Sequence, residues 1–231
     1  EKENIVSVKL EEKEEVAQDE ETRRKVGDIL RELGLEYSEE NVRMIEFLLT
    51  NGIKLTKGNV DSYKKSKEYL NKIIEGIDSN SYIKLMSRGI DLEEDSLQRI
   101  SEALDEIRNE RPPFSLSRLL RLEKDLTYKE AEEIAKKIYG QRMGKDVYDT
   151  IIALDKEGLP ITKESIEKVL ETMSKLHNLK EVDSEVYVKI LNEEIDFNID
   201  NIYKINNSYT LTNLEGNITA KTFEVFTVGE E

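Results

Sequence analysis

A nine-residue phrase recurs along this chain at points where one helix should stop and the next begin. It reads Gly34-Leu35-Glu36-Tyr37-Ser38-Glu39-Glu40-Asn41-Val42, then Gly52-Ile53-Lys54-Leu55-Thr56-Lys57-Gly58-Asn59-Val60. It returns as Gly89-Ile90-Asp91-Leu92-Glu93-Glu94-Asp95-Ser96-Leu97 and as Gly158-Leu159-Pro160-Ile161-Thr162-Lys163-Glu164-Ser165-Ile166. Two degenerate copies start at Glu123 and Glu194. The marks 34, 52, 89, 123, 158 and 194 are spaced by 18, 37, 34, 35 and 36 residues. A period near 35 is the length of a two-helix unit and signals an array of helix pairs. The first step is half a unit and reads as a capping helix pair at the N-terminal end.

The phrase decodes as a stop followed by a start. Gly34, Gly52, Gly89 and Gly158 stand where the chain must turn left-handed after a helix, which glycine does without a side-chain clash. The next residue is apolar and should meet a side chain five positions earlier. Those positions hold Leu30, Leu48, Leu85 and Leu154, and Leu119 and Ile190 in the degenerate copies. Ser38, Thr56, Thr127 and Thr162 are the expected N-caps, each with an oxygen for an orphan backbone N–H. Apolar residues flank them in the spacing of a hydrophobic staple: Tyr37 with Val42, Leu55 with Val60, Leu126 with Ala131, Ile161 with Ile166. Thr127 with Glu130 makes a capping box, and Asn41, Asn59, Ser96 and Ser165 hold the equivalent position elsewhere. Glu93 and Asn198 occupy the remaining cap positions. Glu123 and Glu194 stand where glycine is wanted, at about 1 kcal/mol each, unless those junctions use another turn.

The longer helices of the units are expected over about 60–76, 96–109, 128–140 and 165–177, and the shorter ones over about 80–88, 115–122, 146–157 and 185–193. Residues 19–33 carry Val26, Ile29, Leu30 and Leu33 at helical spacing and read as the first helix. The fold class is therefore all-α, either an α-solenoid or an irregular bundle. Three parts follow: a charged N-terminal segment 1–18, a helical-repeat region 19–204, and a C-terminal tail 205–231 that is a linker or a strand. Ile5-Val6-Ser7-Val8-Lys9-Leu10 and Thr222-Phe223-Glu224-Val225-Phe226-Thr227-Val228 alternate in the β sense, so the two termini could contribute a small paired β element.

Composition narrows the function classes. Charged residues equal apolar ones at 37%, which suits thin helical layers that bury one stripe each. The net charge of −15 opposes phosphate backbones, so nucleic acid is not the expected partner. Arg108, Arg111, Arg118 and Arg121, around Pro112-Pro113, are the one candidate basic cluster and read either as solvated helix ends with local ion pairs or as the local patch of a nucleic-acid-binding regulatory module. The absence of cysteine excludes disulfides and thiolate chemistry. No apolar run reaches about 18 residues, so no membrane insertion is expected. The chain opens on Glu1, as a processed chain or an excised fragment would.

Catalytic candidates are few. His177, the single histidine, falls near a helix C-terminus, where a cation is favoured. Asp196-Phe197-Asn198-Ile199-Asp200 starts like a calcium loop but lacks its glycine and closing glutamate. Glu132-Glu133 and Glu193-Glu194 read as solvated faces. Tyr82, Tyr139, Tyr148, Tyr187 and Tyr203 read either as core edges with their hydroxyls in water or as a protein-binding groove. No cofactor, metal or catalytic residue is assigned.

The phrase at Gly158–Ile166, with its copies, resembles the helical repeats of uncharacterised proteins from clostridial bacteria, some associated with flagellar hook-length control proteins. The resemblance covers about residues 30–203. It implies a bacterial protein, cytoplasmic or exported, in a flagellar or surface assembly. The resulting expectation is a non-enzymatic scaffold or protein-interaction module with an unidentified protein partner. The competing expectation is a small-ligand-binding or enzymatic helical domain.

Overall fold

The computed structural model describes residues 24–110 and 125–209. Those residues form ten helices and no strand. They are α1 (24–32), α2 (Glu39–Thr50), α3 (Lys57–Gly76), α4 (Ser79–Ser87) and α5 (Leu97–Asn109), followed by α6 (Tyr128–Tyr139), α7 (Lys145–Lys156), α8 (Lys163–Asn178), α9 (Ser184–Glu193) and α10 (199–209). The chain is all-α. The expected helix at 115–122, the degenerate copy at Glu123, and the alternating segments 5–10 and 222–228 lie outside the described residues. Among those described, no helix is long and apolar enough to cross a membrane.

The chain divides into two compact units at Lys64 and Lys65, within α3. The first unit holds α1, α2 and the start of α3. Val26, Leu30, Ile45, Leu48, Ile53, Val60 and Tyr63 form its buried set, and the rings of Phe47 and Tyr63 meet at 6.1 Å. Each helix buries residues at i, i+3 and i+4 spacing, so a single stripe supplies the burial that holds it.

In the second unit α4 is central. It packs against α5, α7 and α8, and α7 packs against α6 and α8. Tyr82, Ile83 and Leu85 of α4 are fully buried, as are Ile151 and Leu154 of α7 and Ile166 and Val169 of α8. An open solenoid brings together only neighbouring repeats. Here α4 lies beside α8, although α5, α6 and α7 separate them in sequence, so this unit is an irregular bundle.

Residues 205–209, placed in the tail by their composition, are helical. They complete α10, whose Ile199, Ile202 and Ile205 are buried one turn apart. That apolar spacing outweighs the low helix propensity of the Asn and Ser residues around it.

Candidate functional site

Five phrases fall within the described residues, and their stops share one geometry. Gly34, Gly52, Gly89 and Gly158 have φ of 71, 74, 72 and 66°. Behind each, the next residue's N–H reaches the carbonyl five positions back: Leu35 to Leu30 at 2.8 Å, Ile53 to Leu48 at 2.9 Å, Ile90 to Leu85 at 3.1 Å and Leu159 to Leu154 at 2.9 Å. This is the Schellman closure, and the side chains of the four leucines whose carbonyls accept are buried. The fifth junction keeps the same bonds, with Ile195 N–H to Ile190 at 3.2 Å, and Glu194 itself takes the left-handed conformation at φ 53°. No other turn replaces it. A further left-handed stop, Gly140 at φ 72°, ends α6 and belongs to no phrase.

The starts also repeat. The side-chain oxygens of Ser38, Thr56, Thr127 and Thr162 accept the N–H groups of Asn41, Asn59, Glu130 and Ser165 at 3.1–3.3 Å. Asn198 caps α10 by accepting from Asn201 at 2.8 Å. At four of these five starts the residue three after the cap also reaches back past it, whereas Glu130 accepts from the Thr127 N–H at 2.8 Å. Asn41 Nδ2 donates to the Glu36 carbonyl at 2.8 Å, Asn59 to Lys54 at 2.9 Å, Ser165 Oγ to Pro160 at 2.7 Å and Asn201 to Asp196 at 3.0 Å. This bond ties the turn to the helix it precedes. Its signal in the sequence is the recurrent Asn or Ser of the phrase, whose back-reaching target the capping-box reading misses.

The phrase at Gly89 departs from this pattern. Glu93 stands at its cap position and caps nothing. An extra turn is inserted in which Asp91 accepts from the Glu93 N–H at 2.9 Å and Asp95 accepts from the Asp91 N–H at 2.9 Å. Helix α5 starts only after Ser96, which accepts from Arg99 at 3.3 Å. A glutamate is too long to cap its own helix start well, so its carboxylate is free to reach elsewhere.

It reaches α8. Lys175 Nζ donates to Glu93 Oε2 at 2.8 Å, and the Thr172 hydroxyl donates to Glu93 Oε1 at 2.5 Å. Thr172 is fully buried and accepts from the Tyr82 hydroxyl at 3.4 Å. Lys168 Nζ donates to Asp91 Oδ2 at 3.0 Å, and Lys175 lies 5.6 Å from the centre of the Tyr203 ring. Two backbone bonds join the same loop to the last phrase. Leu97 N–H donates to the Phe197 carbonyl at 3.3 Å, and Asp200 N–H to the Glu93 carbonyl at 3.2 Å. Each donor is an N–H in the first turn of a helix, where no intrahelical acceptor exists. The starts of α5 and α10 thus satisfy each other.

The electrostatics follow from this pairing. Desolvation pushes the Asp91 carboxyl up, but the Glu93 N–H and Lys168 outweigh it and hold Asp91 below its ordinary value. The hydrogen bond to Asp91 raises Lys168, and the hydrogen bond to Glu93 raises Lys175. Burial raises the Tyr82 phenol. Every one of these shifts except that of Tyr82 favours the charged form, which suits a structural ion pair better than a proton donor or acceptor.

The remaining sequence candidates are dispersed. His177 is exposed near the end of α8. Glu132 pairs with Arg142 and Glu193 with Lys189. Asp200 pairs with Lys204, and among the described residues no acidic or histidine cluster has the grouping of a metal site. Tyr82 is buried and hydrogen-bonded, so its hydroxyl is not in water. Tyr187 stacks on Phe197 at 6.2 Å, and Tyr148 meets Tyr128 edge-on at 6.4 Å. The buried Tyr139 hydroxyl has no hydrogen-bond partner. Arg108 lies over Gly76, and Arg111, Arg118 and Arg121 fall outside the described residues.

A family of unknown function (DUF6240) matches residues 9–141, more than half of the 231 residues. The chain belongs to this family. The matched stretch holds the phrases at 34, 52 and 89, and those at 158 and 194 continue the same stop-and-start geometry beyond it. No curated protein and no solved structure matches the chain.

Proposed function

We propose that this chain is a non-enzymatic helical-repeat module that binds a protein partner through the acidic faces its helices turn outward. The observation that carries this reading is the excess of acidic side chains over the whole sequence, a net charge of −15; on the outer face of α8 exposed Glu164 stands beside Glu167 and Glu171, which pair with Lys163 and Lys175 at 3.7 Å. The opposite stripe, Ile166, Val169 and Leu176, is buried. The groups with shifted titration at the α4–α5 loop are engaged in internal pairs, which supports a structural role for them. The net charge of −15 favours a lysine- or arginine-rich protein segment over an acidic one. The resemblance of the repeat phrase supports the narrower setting of a bacterial flagellar or surface assembly.

The test is fluorescence anisotropy with a labelled lysine-rich peptide and an acidic peptide of equal length, at low and physiological ionic strength. The proposal expects binding of the basic peptide alone, weakening as salt rises. Equal binding of both peptides, or none at low salt, contradicts it. A marked thermal stabilisation by one metabolite or metal would replace it with a ligand-binding reading.

A further inference from the structure

We infer that Tyr37 and the connection between α1 and α2 form a docking surface for residues 5–10 of this same chain, which cap the N-terminal end of the array. The repeat itself locates the surface. The apolar residue before the helix start can be compared across six phrases. It is buried at Leu92, with 1% exposure, and half-buried at Leu55, Leu126, Ile161 and Phe197. At Tyr37 it is 65% exposed. Phe197 shows how such a position is covered, because the Tyr187 ring of the preceding helix stacks on it at 6.2 Å. One edge of the Tyr37 ring is engaged. A Cβ built on Gly27 would lie 3.8 Å from its Cε2 atom, so the ring rests against the first described turn of α1. Leu33 and Leu35, in the same connection, are half-buried.

The occupant follows from position, sequence and charge. The chain enters α1 beside this ring, since Gly27 lies three residues after Arg24, where the described part begins. The one apolar run upstream is Ile5-Val6-Ser7-Val8-Lys9-Leu10, in which Val6, Val8 and Leu10 alternate. The 13 residues between Leu10 and Arg24 span at most about 45 Å when extended, ample to bring that run back over Tyr37. Lys9 is the only charge in the run, whereas exposed Glu36, Glu39 and Glu40 flank Tyr37 in sequence, so the two sides complement each other. The family match begins at residue 9, so the stretch common to the family takes in the end of this run and its link to α1. Docking removes the ring and the alternating aliphatic side chains from water together. It leaves Ser7 and Lys9 on the opposite side, as the polar outer face of a terminal cap requires. This inference does not depend on the partner proposed above.

The test uses the absence of tryptophan from the chain. Tyr37→Trp in the full chain supplies a single fluorescent reporter at the surface. Its emission and its quenching by acrylamide are compared with residues 5–10 intact and with Val6→Asp and Val8→Asp introduced together. The expected result is quenching stronger by about twofold or more, with emission shifted to the red, once the two carboxylates prevent docking. Helix content by circular dichroism should stay unchanged. Equal quenching with and without the carboxylates overturns the inference. So does shielding that is lost on dilution, which would assign the surface to a second copy. Shielding lost with Phe223→Asp and Val225→Asp, and kept with the N-terminal pair, also overturns it and assigns the surface to the tail. Should Tyr37→Trp disturb the packing, the unsubstituted chain gives the same reading by NMR. Nuclear Overhauser contacts between the Tyr37 ring and the Val6 and Val8 methyls are expected, and their absence overturns the inference.

Discussion

At the scale of single residues, the left-handed stops set the register of the whole chain. Gly158 is exposed, with nothing within 4 Å of a Cβ added there, so alanine meets backbone strain alone. Gly158→Ala should lower stability by about 1 kcal/mol, read by chemical denaturation. Glu194 gives the converse, since it takes φ 53° with an exposed side chain. Glu194→Gly should raise stability by about 0.5–1 kcal/mol, net of the greater entropy of an unfolded glycine. A loss on that substitution would contradict the strain assigned to it. These positions are legible in the sequence because left-handed backbone selects glycine almost regardless of surroundings. Gly140 escapes the phrase-based reading because its stop is followed by a different loop.

At the scale of elements, the starts are as regular as the stops, apart from one. Thr162→Ala should cost about 1 kcal/mol, and Asn59→Ala a comparable amount through its bond to the Lys54 carbonyl. Glu93 shows where sequence reasoning fails. Phrase alignment places it at a cap; the helix begins after Ser96, as the expected span 96–109 has it, but the carboxylate goes to α8. Nothing local specifies that partner, because Lys175 and Thr172 lie some 80 residues further on. The titration of the loop follows from the same pairing. Asp91 is held below its ordinary value when folded, so its contribution is present above the unfolded carboxylate range and is lost as pH falls through the lowered value. Lys168 and Lys175 are raised, so theirs is complete below the unfolded lysine value and is lost as pH rises through the raised one. Asp91→Asn should therefore flatten the acid limb of a stability-against-pH curve. An unchanged acid limb would show that Asp91 contributes little, which its exposure limits in any case.

At the scale of the molecule, the sequence specifies an all-α array but leaves solenoid and bundle open. Helix periodicity and capping are local, so they are read directly. The contact between the third phrase and the last joins segments about 100 residues apart and has no local signature. The tail boundary fails for a related reason, because Asn-rich composition hides the Ile199, Ile202, Ile205 stripe that α10 buries. The central claim is that this unit returns on itself, with the loop after α4 seated on the start of α10. The chain contains no cysteine, so two cysteines introduced at the exposed positions Glu94 and Asp196 would be the sole labelling sites. The decisive measurement is the spin-label distance between them by pulsed electron resonance. Seated loops predict a short distance, within about 20 Å including the label linkers, since Asn198 reaches the Glu94 carbonyl directly. An open array, with helix layers about 10 Å apart, would hold the same labels about 30 Å apart or more, and that distance would contradict the account.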